Sequence, residues 1–288
     1  MMKIRRVIAK AVLLVVTFGC QLTFANDAVP IAEYKQSSWL SSDAIEWGYL
    51  NPLRGDKSPA AANLWGDRTQ NKATGMLVRF NRGFASPPHI HNISYRGIVI
   101  EGELHNDDPA AAKAWMPVSS FWTQPAGENH ITAANSESNL IYLEIDAGPY
   151  LVKPSAEQFV SGEHALNMHR DNLVWQPVSN TSASKDSNVQ LSQLWGSPID
   201  GQLGGLLLKL PADYQGRITV DAAEFRAVVI QGQLNYQSVE SNGQVSLNSG
   251  SYFASQGNFS HEVAANGEAS IIYIRTDGTY RLESHSPL

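Results

Sequence analysis

The chain carries one long segment twice, and this limits its fold more than any other feature. LWGDRTQNKATGMLVRFNRGFASPPHIHNISYRGIVIEGEL, starting at Leu64, aligns without gaps on LWGSPIDGQLGGLLLKLPADYQGRITVDAAEFRAVVIQGQL, starting at Leu194. Trp65 meets Trp195, Gly75 meets Gly205, Arg96 meets Arg226 and Gly102 meets Gly232. With one residue more between the copies, SFWTQPAGENH from Ser120 lies over SYFASQGNFSH from Ser251, and NLIYLEID matches SIIYIRTD. Two copies of one domain therefore occupy most of the chain.

Each copy is a succession of short segments rich in Val, Ile, Leu, Tyr and Phe, such as GMLVRF, RGIVIEGEL and LIYLEI, punctuated by Gly, Pro, Asn and Asp. No helical period persists beyond a couple of turns, so the domain is all-β, a sandwich or barrel made twice. DDPAAAKA, from Asp107, is open between a short helix and a loop. Residues 35–152 and 173–288 are assigned to the two domains. Residues 153–172 read as a linker with one helical turn at most, and SNTSASKDSN, from Ser179, reads as a polar loop.

The chain of 288 residues is 43% hydrophobic, enough for two cores, which excludes a disordered protein. MMKIRRVIAKAVLLVVTFGCQLTFA has a basic start, an apolar run and small residues before a polar NDAVP, the layout of a secretory signal over residues 1–25. The apolar run is too short to span a bilayer comfortably, so no membrane insertion is expected after cleavage. Cys20, the one cysteine, would leave with this leader. Acylation at Cys20 is the weaker reading, because Thr17 stands where a lipoprotein signal wants an aliphatic residue. The expected destination is the periplasm or the exterior, without disulfides. The leader holds four basic residues and no acid, so its loss takes the net charge from -6 to -10. That balance, with no basic run, excludes a nucleic-acid partner.

Candidate chemistry concentrates in PPHIHNISYRGIVIEG, Pro87 to Gly102. In an extended strand alternate side chains share a face, which places His89 and His91 about 7 Å apart on one side. His130 stands in the later block. Three neutral imidazoles on neighbouring strands can occupy three corners of a metal's coordination sphere at roughly 2.0–2.1 Å and leave a position open. Nitrogen donors without thiolate suit Zn, Fe, Mn, Ni or Cu, so one divalent transition metal of undetermined identity is the expected cofactor. At the equivalent positions the second copy has Thr219, Asp221, Phe225 and His261, a poor ligand set. His261 there reads as a hydrogen-bonded barrel residue.

Gly83, His89, His91, Tyr95 and Gly102, followed by Pro125, Gly127 and His130, have the spacing of the two motifs of the cupin superfamily. The LWGD and PPHIH wording resembles a bicupin family of unknown function, similar to the cupin domains of zinc-binding anti-sigma factors. The resemblance implies two tandem double-stranded β-helix, or jelly-roll, barrels, the first with a metal site and the second degenerate. It also implies a glutamate where Tyr95 stands. Tyr95 can ligate as a phenolate, hydrogen-bond a metal-bound water or ligand, or fill the barrel wall, and its counterpart Phe225 favours the wall. Glu101, Glu103 or Glu128 could complete the shell. Glu128, in the turn before His130, is the best placed, with loop exposure as its plainer explanation.

These residues lead to an exported protein with a three-histidine metal site that acts on a small oxygenated organic molecule, oxygenase-like, with Tyr95 or Glu128 handling protons. The alternative is a non-catalytic periplasmic sensor or binding protein for a metal or small molecule. A small-molecule ligand is the expected partner, and a homodimer stays open. Arg96 and Arg226 read as structural, with an ion pair common to both copies, and Trp65 and Trp195 as packing residues. His105, His164, His169 and His285 read as solvated loop residues.

Overall fold

The computed structural model describes residues 37–178, 188–198, 201–238 and 243–285. The leader over 1–25 and the loop over 179–187 lie outside the described residues.

Hydrophobic runs in the repeated strands are nearly continuous because both faces of these strands are buried. In the strand Thr74–Asn81, Met76, Val78 and Phe80 point into the first barrel, while Leu77 points the other way. The strand Ser138–Ile145 repeats this: Ile141, Leu143 and Ile145 face inward, and Leu140 and Tyr142 face outward. The outward set packs on its counterparts from the second copy, among them Leu207, Val228, Ile230 and Tyr273. Three cores result, one inside each barrel and one between them. Each large apolar side chain so buried contributes about 1.5–3 kcal/mol.

The first barrel has an antiparallel sheet in the spatial order Leu166–Met168, Phe121–Gln124, Tyr95–Glu101, Ser138–Ile145, Thr74–Asn81, Ala60–Trp65 and Gly48–Tyr49. Its other wall is made of Glu103–Asp107 between Ile131–Ala134 and Met116–Pro117, and of His89–His91 paired with Val152–Pro154. In the second barrel the equivalent strands are unbroken. Gln215–Gln231 runs for 17 residues and Tyr252–Ala265 for 14, within one ten-stranded sheet. The expected all-β protein of two jelly-roll barrels is what the chain forms. DDPAAAKA is a loop after Asp107.

Residues 153–172 carry more order than a linker. Val152–Pro154 pairs with the histidine strand, and Leu166–Met168 pairs with Phe121–Gln124, so both add to the first barrel. The segment ahead of each copy crosses to the other barrel. Ser37–Leu40 pairs with Tyr252–Ala265 of the second copy, as Leu166–Met168 pairs with Phe121–Gln124 of the first. A 3-10 turn follows each arm, at Ser42–Ala44 and Arg170–Asn172. The Ser42 N–H donates to Ser251 Oγ at 3.0 Å, and the Arg170 N–H donates to Ser120 Oγ at 3.1 Å.

The recurring Trp and Arg residues belong to the same exchange. The Arg96 guanidinium lies 3.7 Å from the ring centroid of Trp195, and that of Arg226 lies 4.1 Å from that of Trp65. Each tryptophan N–H donates to a tyrosine of its own copy, Trp65 to Tyr142 at 3.2 Å and Trp195 to Tyr273 at 3.0 Å. Gly75 and Gly205 recur because a Cβ there would lie 2.1 Å from Trp65 Nε1 and 2.0 Å from Trp195 Nε1. The expected common ion pair is not what they share: Arg96 pairs with Glu144 and Asp146, and Arg226 with Glu224. The shared element is the stack on the opposite copy's tryptophan.

Candidate functional site

His89 and His91 share a face of the three-residue strand His89–His91, as alternation requires. His130 is brought opposite by the backbone. The N–H of His89 donates to the carbonyl of His130 and the N–H of His130 to that of His89, both at 3.0 Å, so the two residues form a hydrogen-bonded antiparallel pair. The Gly127 N–H also donates to the His91 carbonyl at 2.9 Å, which anchors the turn leading to His130.

All three imidazoles are buried, and each holds its Nδ1 against a backbone carbonyl. His89 Nδ1 lies 2.9 Å from Pro87 O, His91 Nδ1 lies 3.1 Å from Leu151 O, and His130 Nδ1 lies 3.0 Å from Glu128 O. A carbonyl can only accept, so each Nδ1 carries the proton and each neutral ring offers its Nε2 lone pair. Burial lowers the His130 pKa to about 3 and that of His91 well below its ordinary value. Burial lowers that of His89 as well. One ligand atom from each ring lies within 4.8 Å of the other two. Three neutral nitrogen donors with fixed tautomers, convergent and shielded from water, are a donor set that fits a divalent transition metal.

Tyr95 is inside this cavity. Its hydroxyl donates to Asn106 Oδ1 at 3.1 Å and lies 3.3 Å from His130 Nε2. Asn106 Oδ1 also accepts from Thr132 Oγ1 at 2.8 Å, and Asn106 Nδ2 donates to Gln124 Oε1 at 2.8 Å. Burial pushes the Tyr95 hydroxyl above its ordinary pKa, so it stands as a neutral phenol. Glu128 is placed differently. Its side chain is exposed, beside Asp107, Asp108 and His164, while its carbonyl accepts from both His130 Nδ1 and Gln124 Nε2. Glu128 therefore supports the site through its backbone. Glu101 is exposed on its strand, and Glu103 bonds Asn135.

Tyr150 belongs to the site and carries no motif signal. Its ring stacks on His91 with centroids 4.4 Å apart, and its hydroxyl lies 3.2 Å from His91 Nε2. It falls outside both repeated blocks. His105, expected to be solvated, is 1% exposed. It lies in the strand Glu103–Asp107, whose Leu104 and Asn106 face the barrel interior, so alternation turns His105 outward, where it is buried edge-on to Trp115.

The cavity has a volume of about 90 Å³. Its walls are Val78, Phe80, Phe84, Ile141 and Leu143, with Tyr95, Trp122 and Asn106 at the histidine end. The second barrel has no such site among the described residues. His261 is stacked on Phe225 and packed by Phe253 and Phe259. Its Nδ1 bonds the Tyr236 hydroxyl and its Nε2 the Ser255 hydroxyl, both at 3.0 Å. Neither nitrogen is free, which agrees with a structural barrel histidine.

Fold and site together define a cupin-type barrel protein with a buried three-histidine cluster. Residues 39–283 match the family described as a domain of unknown function, DUF4437, and the chain belongs to that family. No curated protein matches the chain by sequence. Among solved structures, a candidate dioxygenase from Nostoc punctiforme is similar at a TM-score of 0.62, with 13% identity over 88% of this chain and 88% of its own. The oxalate decarboxylase of Lactobacillus farciminis, solved as a formate complex, is similar at 0.54, with 10% identity over 85% of this chain and 88% of its own. YlbA of E. coli is similar at 0.55, with 15% identity over 84% and 90%. At these identities the likeness is one of fold.

Proposed function

We propose that the first barrel holds one divalent transition metal on His89, His91 and His130, and that this site is an oxygenase-like enzyme centre for a small oxygenated organic molecule. The observation that supports it most is the trio of Nδ1–carbonyl bonds, which leaves each Nε2 as the lone-pair nitrogen of a ring whose ligand atom lies within 4.8 Å of the other two. When bound, the metal supplies a Lewis-acidic position that polarises a ligand oxygen. Nitrogen donors do not choose among Zn, Fe, Mn, Ni and Cu.

The remaining roles fall to the chain. The Tyr95 hydroxyl holds a proton 3.3 Å from His130 Nε2, with Asn106 Oδ1 as its resting acceptor, and can present that proton to a ligand oxygen. Tyr150, stacked on His91, orients that ring. Phe80, Phe84 and Leu143 keep water from the reacting end. Of the two residues expected to handle protons, Tyr95 is the one within the cavity. The enzymes named among the similar structures, an oxalate decarboxylase and a candidate dioxygenase, are of the kind this reading invokes.

The protein is further read as an exported bicupin whose leader is removed after Ala25, working in the periplasm or outside the cell, with the second barrel as a packing support. A processed N-terminus at Asn26 in an exported fraction is the result expected. A second reading, a sensor or binding protein without turnover, draws on the absence of any Asp or Glu among the residues lining the cavity.

Elemental analysis of purified protein is the first test. Near one metal per chain is expected, and His91→Ala should abolish it with the fold kept by circular dichroism. A metal-free wild type with an intact fold refutes the metal site. Turnover by the reconstituted protein that His130→Ala removes favours the enzyme, and a saturable ligand without turnover favours the receptor.

A further inference from the structure

The charge around the cavity is one-sided. The protein as a whole has a net charge of -6, yet the residues lining this cavity include no Asp, Glu or Lys and a single formal charge, that of Arg54. Arg54 lies in the turn Pro52–Lys57 and lines the cavity, and its side chain is exposed. No ion pair or side-chain hydrogen bond occupies its guanidinium among the described residues, although its backbone N–H bonds Asn51. It lines the same cavity as His89. At the inner end, the Trp122 indole N–H is buried and has no acceptor. It faces the Tyr95 hydroxyl without a hydrogen bond of ordinary geometry. A donor left unpaired in an apolar wall is costly unless a ligand oxygen meets it.

We propose that the cavity binds a small organic carboxylate, its anionic group paired with Arg54 at the mouth, its apolar body against Phe80, Phe84 and Leu143, and an inner oxygen meeting the Trp122 N–H. This rests in part on the metal reading and deepens it. A divalent ion on three neutral imidazoles keeps its full charge, because no carboxylate of the chain lines the site to offset it. The ion then stands as about two positive charges in a poorly solvated space, with the exposed Arg54 adding a third at the edge, and an anionic ligand is what balances them. Size sets the other limit. A cavity of ~150 Å³ takes one benzene-sized molecule of six heavy atoms, so a volume of about 90 Å³ suits an acid of about four or five heavy atoms.

Glycolate, which carries a carboxylate and a separate hydroxyl oxygen, and its neutral isostere glycolamide separate charge from shape. Isothermal titration of the full mature chain, with metal content measured on the same preparation, is the experiment. Glycolate is expected to bind at least about tenfold more tightly than the amide. Arg54→Gln should reduce that preference by about three- to tenfold and leave metal content unchanged, and Arg54→Lys should restore part of it. Equal binding of acid and amide by the metal-loaded protein overturns the proposal and leaves the metal site standing. So does an Arg54→Gln protein with an unchanged preference, or the absence of glycolate binding with metal in place. A metal-free wild type that still prefers the acid, through Arg54, upholds this inference and refutes only the metal reading.

Discussion

Arg275 lies on the seam between the barrels with 3% of its side chain exposed, and replacing it by Met tests what holds that seam. Its Nη1 donates to Glu144 Oε1 at 3.4 Å and to Asp146 Oδ1 at 2.7 Å, and its Nε donates to Glu224 Oε1 at 2.7 Å. Burial works against its charge, yet Glu144, Glu224 and Asp146 raise the guanidinium above its ordinary pKa. Met keeps the aliphatic stem and loses all three bonds. Asp146 is half exposed and keeps Arg96, and Glu224 keeps Arg226, so both can recover. Glu144, 1% exposed, cannot reach water. It retains the Tyr142 and Tyr273 hydroxyls at 3.0 and 2.8 Å and Arg96 at 3.2 Å. Removing one partner of a buried pair costs about 3–5 kcal/mol, because the other charge stays buried. The surviving Arg96 contact puts the expected loss near the lower end, about 3 kcal/mol. At about 2–4 °C per kcal/mol for a chain of this size, the melting temperature should fall by about 6–12 °C. Glu144→Gln added to Arg275→Met removes the buried charge left with one weak cationic partner and keeps an acceptor for the tyrosines, so it should recover about half of the loss. Urea unfolding followed by circular dichroism and tryptophan fluorescence measures both. A single variant within about 1 kcal/mol of wild type refutes the reasoning, as does a double variant no more stable than the single one.

Gly97→Ala places a Cβ 2.1 Å from Trp122 Cζ2, so the ring must leave its place beside Tyr95; a loss of about 1–3 kcal/mol and a changed near-ultraviolet spectrum are expected, and an unaltered protein counts against this packing. Burial lowers the His261 pKa to about 3, so the folded chain keeps this ring neutral while the unfolded chain protonates it below about 6.5. Its contribution is full above that pH and declines as pH falls towards 3, by about 2 kcal/mol between pH 7 and 5 at 1.36 kcal/mol per unit. His261→Gln should flatten the stability profile over that interval, and parallel profiles for variant and wild type would contradict it. Glu128→Ala should leave metal content unchanged, since only its carbonyl supports His130; metal loss in this variant would show that its carboxylate ligates.

Much of the site is legible along the chain because it rests on local rules. Strand alternation puts His89 and His91 on one face, and Phe225 opposite Tyr95 in the repeat points to a wall residue. The first holds in three dimensions, and Tyr95 is buried with its hydroxyl bonded to Asn106 and 3.3 Å from His130 Nε2. Tyr150 is illegible, since it stacks on His91 from 59 residues away and no spacing marks it. His105 misleads because it stands on the outer face of its strand, opposite Leu104 and Asn106, and only the tertiary structure shows that this face is covered, with Trp115 against the ring.

The repeat determines that the chain makes one all-β domain twice, and that Trp65 and Arg96 have equivalents in Trp195 and Arg226. It does not say that equivalents face each other. Equivalence under a repeat is a statement about position within a copy, whereas the stacks of Arg96 on Trp195 and Arg226 on Trp65 depend on how two outer sheet faces dock. The exchanged arms, Ser37–Leu40 and Leu166–Met168, are short strands with weak local patterns, and each finds its partner only in the other barrel. The same division applies to the site: residue types and strand period supply three histidines, and the tertiary structure alone turns their lone pairs together, through carbonyls that no side-chain pattern encodes.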